Sequence, residues 1–145
     1  VVGLDRDVVY ADFEAATVHI RRGATFIGTN GDKTFPSELG QVPGNGSLLA
    51  LIEAATDQKP IVVGKPEQIM FRECLRRLGA SATTDNTIMV GDRLETDVLG
   101  GQNAGLRSAL VLTGVTRRED LAHSDIQPDF VFDDIHALAA WVCAE

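Results

Sequence analysis

The sequence is poor in the residues that stabilise small secreted domains or hold clustered metal ions. Its 145 residues include two cysteines, Cys74 and Cys143, and three histidines. This count excludes a disulfide-rich scaffold, and both cysteines lie in helical patterns. We therefore predict free reduced thiols and a cytoplasmic location.

Positive charge is also scarce. Lys and Arg number 13 against 21 Asp and Glu, which gives a formal net charge of -8 at pH 7. This balance repels polyanions, so we predict that neither nucleic acid nor a membrane is a partner. A small phosphorylated substrate remains compatible, because one lysine and a bound cation can offset the net charge locally.

Long hydrophobic runs are missing. No apolar run approaches the 18 residues expected of a membrane-spanning helix, and no signal-peptide pattern is visible. The first residue is Val1, so we expect a sequence that was trimmed or that begins inside a longer protein. The hydrophobic content of 44% with 23% charged residues is ordinary for a globular domain.

Short apolar runs alternate with helical patterns through most of the chain. Strands are predicted at 61–63, 87–90, 108–113 and 129–132, with helical patterns between and after them. This alternation predicts an α/β fold with a parallel sheet. Before it come a predicted helix over 10–22, a strand over 24–28, a long irregular segment over 33–46 and a helix over 47–56. A structureless segment of that length is usually functional or a domain boundary.

The strongest chemical signal is the stretch from Thr87 to Asp97. The apolar run before Gly91 reads as a buried strand, which places Asp92 at the carboxyl edge of the sheet, where such folds bind ligands. Asp97 falls in the first turn of the following helix, where its charge suits the helix dipole. Two nearby carboxylates suit Mg²⁺, which prefers oxygen ligands. The alternative is an Asp-rich strand-to-helix turn without a metal.

Gly64-Lys65-Pro66 follows the predicted strand at 61–63. Lys65 is therefore expected at the same sheet edge as Asp92, at the start of a helix. The nucleotide-binding loop pattern Gly-x-x-x-x-Gly-Lys-Ser/Thr is missing. What remains is one cation near a candidate metal carboxylate, or else a solvated surface lysine.

Together these motifs resemble the haloacid dehalogenase (HAD) superfamily, in its NagD or 4-nitrophenylphosphatase branch. The resemblance covers essentially the whole chain and rests on Gly64-Lys65-Pro66, Gly91-Asp92-Arg93-Leu94-Glu95-Thr96-Asp97, Asn103-Ala104-Gly105 and Leu110-Val111-Leu112-Thr113-Gly114-Val115-Thr116. A weaker likeness joins Thr29-Asn30-Gly31-Asp32 to the cap domain of that branch.

The resemblance implies a Mg²⁺-dependent phosphatase that works through an aspartyl-phosphate intermediate. Lys65 would be the catalytic lysine that neutralises the nucleophile and a phosphate oxygen, Asp92 the metal ligand and Asp97 a supporting carboxylate in the second shell of the metal. Thr29, Asn30 and Asp32 would belong to the substrate-facing cap. The resemblance also implies an HAD-like Rossmannoid core, with residues 1–46 forming the second half of the cap and its return loop and residues 47–145 the carboxyl-terminal half of the core.

One family motif is missing. The nucleophile of the family lies in an Asp-x-Asp-Gly segment after its first strand, and Asp5-Arg6-Asp7, which shares the spacing, follows too short an apolar run. We therefore expect the carboxyl-terminal portion of such an enzyme, inactive alone, whose partners are a small phosphorylated substrate and the missing amino-terminal part. Association with a second copy stays open. The alternative is a non-catalytic HAD-like module with weak Mg²⁺ binding. Glycerol phosphate, nucleotides, pyridoxal phosphate and aryl phosphates all suit the branch.

Overall fold

The computed structural model describes residues 1–144 and forms two compact units, which divide between Gly64 and Lys65. Both units are mixed α/β with parallel strand pairs, which confirms the predicted fold class. Residues 47–64, which we predicted to belong with the core half, lie in the first unit. The assignment of the chain to a half-cap and a half-core stays a prediction.

The first unit has a small parallel sheet and a separate hairpin. Its elements in order are α1 (Tyr10–Arg21), β1 (Ile27–Gly28), β2 (Thr34–Ser37), β3 (Gly40–Pro43), α2 (Asn45–Thr56) and β4 (Ile61–Val62). Strand β1 pairs in parallel with β4, and Val2 makes an isolated parallel bridge to Gly28. Strands β2 and β3 form an antiparallel hairpin. The prediction of an irregular segment over 33–46 is therefore wrong for residues 34–43.

The core of the first unit lies where α1 and α2 meet. Ile20, Phe26, Leu49 and Ile52 are buried there together. The Leu49 side chain occupies the space that a Cβ on Gly28 would need, so the glycine lets α2 approach β1 closely. The Arg21 guanidinium donates two hydrogen bonds to the Ala55 carbonyl and so satisfies an acceptor near the end of α2.

The second unit is built on a three-stranded parallel sheet. Its elements in order are α3 (Gln68–Leu78), β5 (Ile88–Gly91), a π-helical turn (Leu94–Val98), α4 (Leu99–Asn103), β6 (Arg107–Val111), a 3₁₀ helix (Arg118–His123), β7 (Phe130–Phe132) and α5 (Ile135–Val142). The strand order is β5-β6-β7, and within residues 1–144 β5 pairs with β6 alone. Leu94, Val98 and Leu110 are buried between the π-helical turn and the sheet.

Several boundaries in this unit differ from those predicted. Helix α3 begins at Gln68, so Lys65 lies in the loop before the helix instead of at its start. The helix that carries Asp97 in its first turn begins at Leu94, as a π-helical turn. The Trp141 ring lies 4.9 Å from the Phe130 ring between centroids, so α5 packs against β7 through these two rings.

The cysteines and the helix lengths can be compared with the sequence predictions over all described residues. Cys74 and Cys143 are both exposed free thiols. Among residues 1–144 no helix has the length and apolar character needed to cross a membrane.

Candidate active site

The candidate site lies at the carboxyl end of β5. The strand ends at Gly91, and Asp92 and Arg93 form the link to the π-helical turn. This placement agrees with the sequence prediction, because the strand carries Asp92 to the sheet edge where α/β folds bind ligands.

Asp97 is the buried centre of the site. Its side chain is 4% exposed, and its Oδ1 lies 2.6 Å from the Lys65 Nζ. Its Oδ2 accepts hydrogen bonds of 3.1 Å from the backbone N–H groups of Asp92 and Arg93. The buried Asp97 carboxylate therefore has one cation and two N–H donors as partners. Loss of any of the three would leave its negative charge poorly compensated in the protein interior.

The π-helical turn explains why Asp97 points at these partners. The Arg93 carbonyl accepts from the N–H groups of both Asp97 and Val98, which widens the turn. The wider turn brings the Asp97 side chain back over Gly91, where a Cβ would overlap the carboxylate. Single π turns of this kind occur often at functional sites.

Lys65 reaches Asp97 from the loop before α3. Its side chain remains 40% exposed while its Nζ pairs with the buried carboxylate. The loop is also held by Asn103, whose side-chain amide donates to the Pro66 carbonyl at 3.1 Å. The structure thus brings the predicted Lys65 and Asp97 into direct contact and places both beside the Asp92 backbone.

Asp92 is half-buried and held from its other side by the segment after β6. Its Oδ2 accepts a 2.8 Å hydrogen bond from the Val115 N–H, and its backbone carbonyl accepts one of 3.0 Å from the Thr116 N–H. Within residues 1–144 no hydrogen bond to Asp92 Oδ1 is found, so one carboxylate oxygen is left for a ligand.

The described residues could hold Mg²⁺ only as part of a site that other ligands complete. Mg²⁺ is commonly held by one or two carboxylates together with waters and substrate phosphates, and Asp92 Oδ1 is one such oxygen. No group of three or more His, Cys, Asp and Glu side chains suited to a metal occurs among residues 1–144. The described residues therefore fit one part of a magnesium site, and the other ligands must come from elsewhere.

The three residues predicted for the cap cluster in the first unit. Asn30 Nδ2 donates to Asp32 Oδ2 at 2.6 Å, and Thr29 Oγ1 donates to Asn30 Oδ1 at 3.2 Å. Asn45 was not predicted to belong to this cluster; its buried amide donates to the Asn30 carbonyl at 2.8 Å. An Asn-Gly pair reads as a turn, so the sequence held no signal for this contact.

Asp5 and Asp7 lie in a bend before α1, where the Asp7 N–H donates to Asp5 Oδ1. They do not follow a strand of the kind that carries the nucleophile in the family the motifs resemble.

The comparison with protein families decides the classification. The family model described as HAD-hydrolase-like matches residues 62–138, just over half of the chain. The chain belongs to the HAD-hydrolase-like family. The match includes Lys65, Asp92 and Asp97, the three residues that the structure brings together.

The relatives confirm the NagD or 4-nitrophenylphosphatase branch. The chain is 42% identical over 142 residues to the 5'-nucleotidase YutF of Bacillus subtilis, covering 98% of this chain and 54% of that protein. It is 40% identical to the 4-nitrophenylphosphatase of Thermotoga maritima, with a TM-score of 0.85 over 95% of this chain and 52% of that one. The glycerol phosphate phosphatase of Mycobacterium tuberculosis, solved in complex with magnesium, is 36% identical with a TM-score of 0.81, over 94% of this chain and 41% of that one.

These HAD-family chains are about twice as long as the present one. The chain spans about half the length of the curated relatives it matches and corresponds to their carboxyl-terminal half. The relatives named here are phosphatases or a nucleotidase, so the family-level activity is hydrolysis of phosphate esters.

Proposed function

We propose that this chain is the carboxyl-terminal part of a Mg²⁺-dependent phosphatase that hydrolyses a small phosphate monoester through an aspartyl-phosphate intermediate. The carrying observation is the Lys65–Asp97 pair beside Asp92 at one sheet edge. The nucleophilic aspartate and any further metal ligands are proposed to come from a segment outside these 145 residues.

Each site residue has a part in this chemistry. Phosphoryl transfer spreads negative charge over three equatorial oxygens, so positioned cations supply most of what a protein can contribute. Asp97 fixes the Lys65 ammonium, which stays accessible to a phosphate oxygen. Asp92 would hold the Mg²⁺ through Oδ1. When bound, that ion neutralises charge on the phosphate and helps align it with the nucleophile.

The substrate is proposed only as a class. The relatives act on different phosphates according to their names, a 5'-nucleotide in one case and glycerol phosphate in another. These names give no substrate for the present chain. The proposed cytoplasmic location and self-association likewise stay predictions.

Lys65→Met tests the proposal in the protein that includes the native upstream sequence. We expect Mg²⁺-dependent hydrolysis of 4-nitrophenyl phosphate to fall by about tenfold or more, because a cation aimed at the phosphate is lost. The sequence alone suggested a stability change below about 1 kcal/mol. The ion pair to buried Asp97 raises this expectation to about 1–3 kcal/mol, measured by denaturant unfolding.

Two further variants separate chemistry from folding. Lys65→Met with Asp97→Asn removes both charges, so stability should recover while turnover stays low. Recovery of turnover in that double variant would show that Lys65 serves only to neutralise Asp97. Lys59→Met, which removes an exposed lysine in the first unit, is the matched control and should leave both measurements unchanged.

Asp32→Asn tests the proposed substrate-facing role of the polar cluster after β1. Asp32 is exposed, and its contact to Asn30 is local, so stability should change by less than about 0.5 kcal/mol. We expect relative kcat/KM values among glycerol phosphate, a nucleoside monophosphate and 4-nitrophenyl phosphate to change by about threefold or more, as pocket contacts discriminate substrates on this scale. Asp57→Asn, at an exposed position in the same unit, is the control. An equal factor for every substrate would make the cluster a scaffold.

A further inference from the structure

The segment Gly114-Val115-Thr116, which follows β6, holds Asp92 by hydrogen bonds. The Val115 N–H donates to Asp92 Oδ2 and the Thr116 N–H to the Asp92 carbonyl, so side chain and main chain are both held. The Val115 side chain is 58% exposed and contributes little packing. Val115 therefore contributes to the site through its backbone N–H.

Gly114 gives the carboxylate the space it occupies. A Cβ built on Gly114 would overlap the Oδ2, Cβ and Cγ atoms of Asp92. The φ angle of Gly114 is not among the positive values found in the chain, at Gly23, Gly40, Gly79 and Gly105. Alanine could thus adopt this backbone, and only its collision with Asp92 would oppose it.

We propose that Gly114 and the Val115 N–H are positioning elements for the metal carboxylate. The Val115 N–H donates to Oδ2, and Gly114, which has no side chain, leaves room for the Asp92 carboxylate. Oδ1 is then the oxygen presented to the cation. This inference rests on the proposed function, because it assigns the cation to Asp92. Groups that orient a metal ligand typically change metal affinity or activity by about 10–100-fold when altered.

The test is direct Mg²⁺ binding by Gly114→Ala in the protein with its native upstream sequence, measured by isothermal titration calorimetry. We expect the Mg²⁺ dissociation constant to rise by about tenfold. Gly79→Ala is the matched control: Gly79 has a φ of +98° with no atom within 4 Å of an added Cβ, so alanine strains the backbone without contacting Asp92. That control should lower the melting temperature and leave Mg²⁺ affinity unchanged.

A double-variant cycle shows whether the effect passes through Asp92. In an Asp92→Asn background, Gly114→Ala should cause no further loss of Mg²⁺ affinity, because residues that act through one group are not additive. If Gly114→Ala does not fold, an ester in place of the Gly114–Val115 amide replaces the N–H donor with an oxygen and adds no side chain. It should still weaken Mg²⁺ binding by about threefold or more, since hydrogen bonds to charged groups are among the stronger ones.

The outcomes distinguish the two proposals. If Asp92→Asn binds Mg²⁺ as well as the wild type does, the proposed metal role of Asp92 fails. If Asp92→Asn weakens binding while Gly114→Ala and the ester variant do not, the positioning role alone is overturned.

Discussion

Asp92→Asn is expected to lower phosphatase turnover by roughly a hundredfold or more in the protein that includes the native upstream sequence. The amide keeps the shape of the carboxylate, and its oxygen can still accept the hydrogen bond from the Val115 N–H. With its oxygen in that position, its NH2 group takes the place of Oδ1, so the cation loses both a ligand oxygen and a negative charge. The fold should therefore survive, and the activation curve should shift to higher Mg²⁺ concentration.

The measurement is a titration of Mg²⁺ against turnover for the wild type and the variant. Asp85→Asn is the matched control, since Asp85 is exposed in the loop before β5 and contributes its backbone carbonyl, not its carboxylate, to Arg107. That control removes one negative charge from the second unit without changing Asp92. Identical activation curves for Asp92→Asn and the wild type would remove the metal assignment.

The sequence was enough to predict the parts of the site that depend on strand and helix order. The apolar run before Gly91 and the alternation of strands and helices place Asp92 at a carboxyl edge, and the structure has it there. Lys65 and Asp97 could be placed near that edge by the same reasoning. Their ion pair was not predicted, because it depends on which way the chain turns after Arg93.

The π-helical turn Leu94–Val98 could not be predicted from the sequence pattern, for a physical reason. A π-helical turn differs from an α-helix by one extra residue per turn, and hydrophobic spacing over five residues does not distinguish them. The role of the Val115 N–H was equally hidden, since a backbone donor leaves no mark in the side-chain sequence. The hairpin at β2 and β3 was missed because Pro36, Gly40 and Pro43 favour a loop when no partner strand is known.

The edge of the three-stranded sheet is expected to govern how residues 1–145 behave in solution. Strand β5 ends the three-stranded order β5-β6-β7, and among residues 1–144 no strand pairs with its other side. The residues of this strand, Ile88 to Gly91, are half-buried and mostly apolar. An unpaired apolar edge invites pairing with another chain, and we propose that in the whole protein a strand from the upstream segment pairs here.

Residues 1–145 purified alone are therefore expected to associate in solution. The measurement is molar mass by light scattering across a range of protein concentrations, where the fraction of larger species should rise with concentration. Leu39→Lys is the control for association through the hairpin, because Leu39, between β2 and β3, has the highest exposure, 92%, of the large apolar residues that the structure describes. Association should persist in that variant if β5 is responsible, and a strictly monomeric chain would refute the edge argument.

The same preparation is expected to show no hydrolysis of 4-nitrophenyl phosphate with Mg²⁺, against robust turnover for the whole protein. Lys65, Asp92 and a cation can stabilise a phosphoryl group in transfer, but covalent catalysis also needs a carboxylate that attacks it. Addition of the separately expressed upstream segment should restore measurable activity, because that segment would supply both the strand that covers β5 and the nucleophile. Robust turnover by residues 1–145 alone would instead return Asp5 and Asp7 to consideration as nucleophiles and end the proposal that the attacking aspartate lies outside this chain.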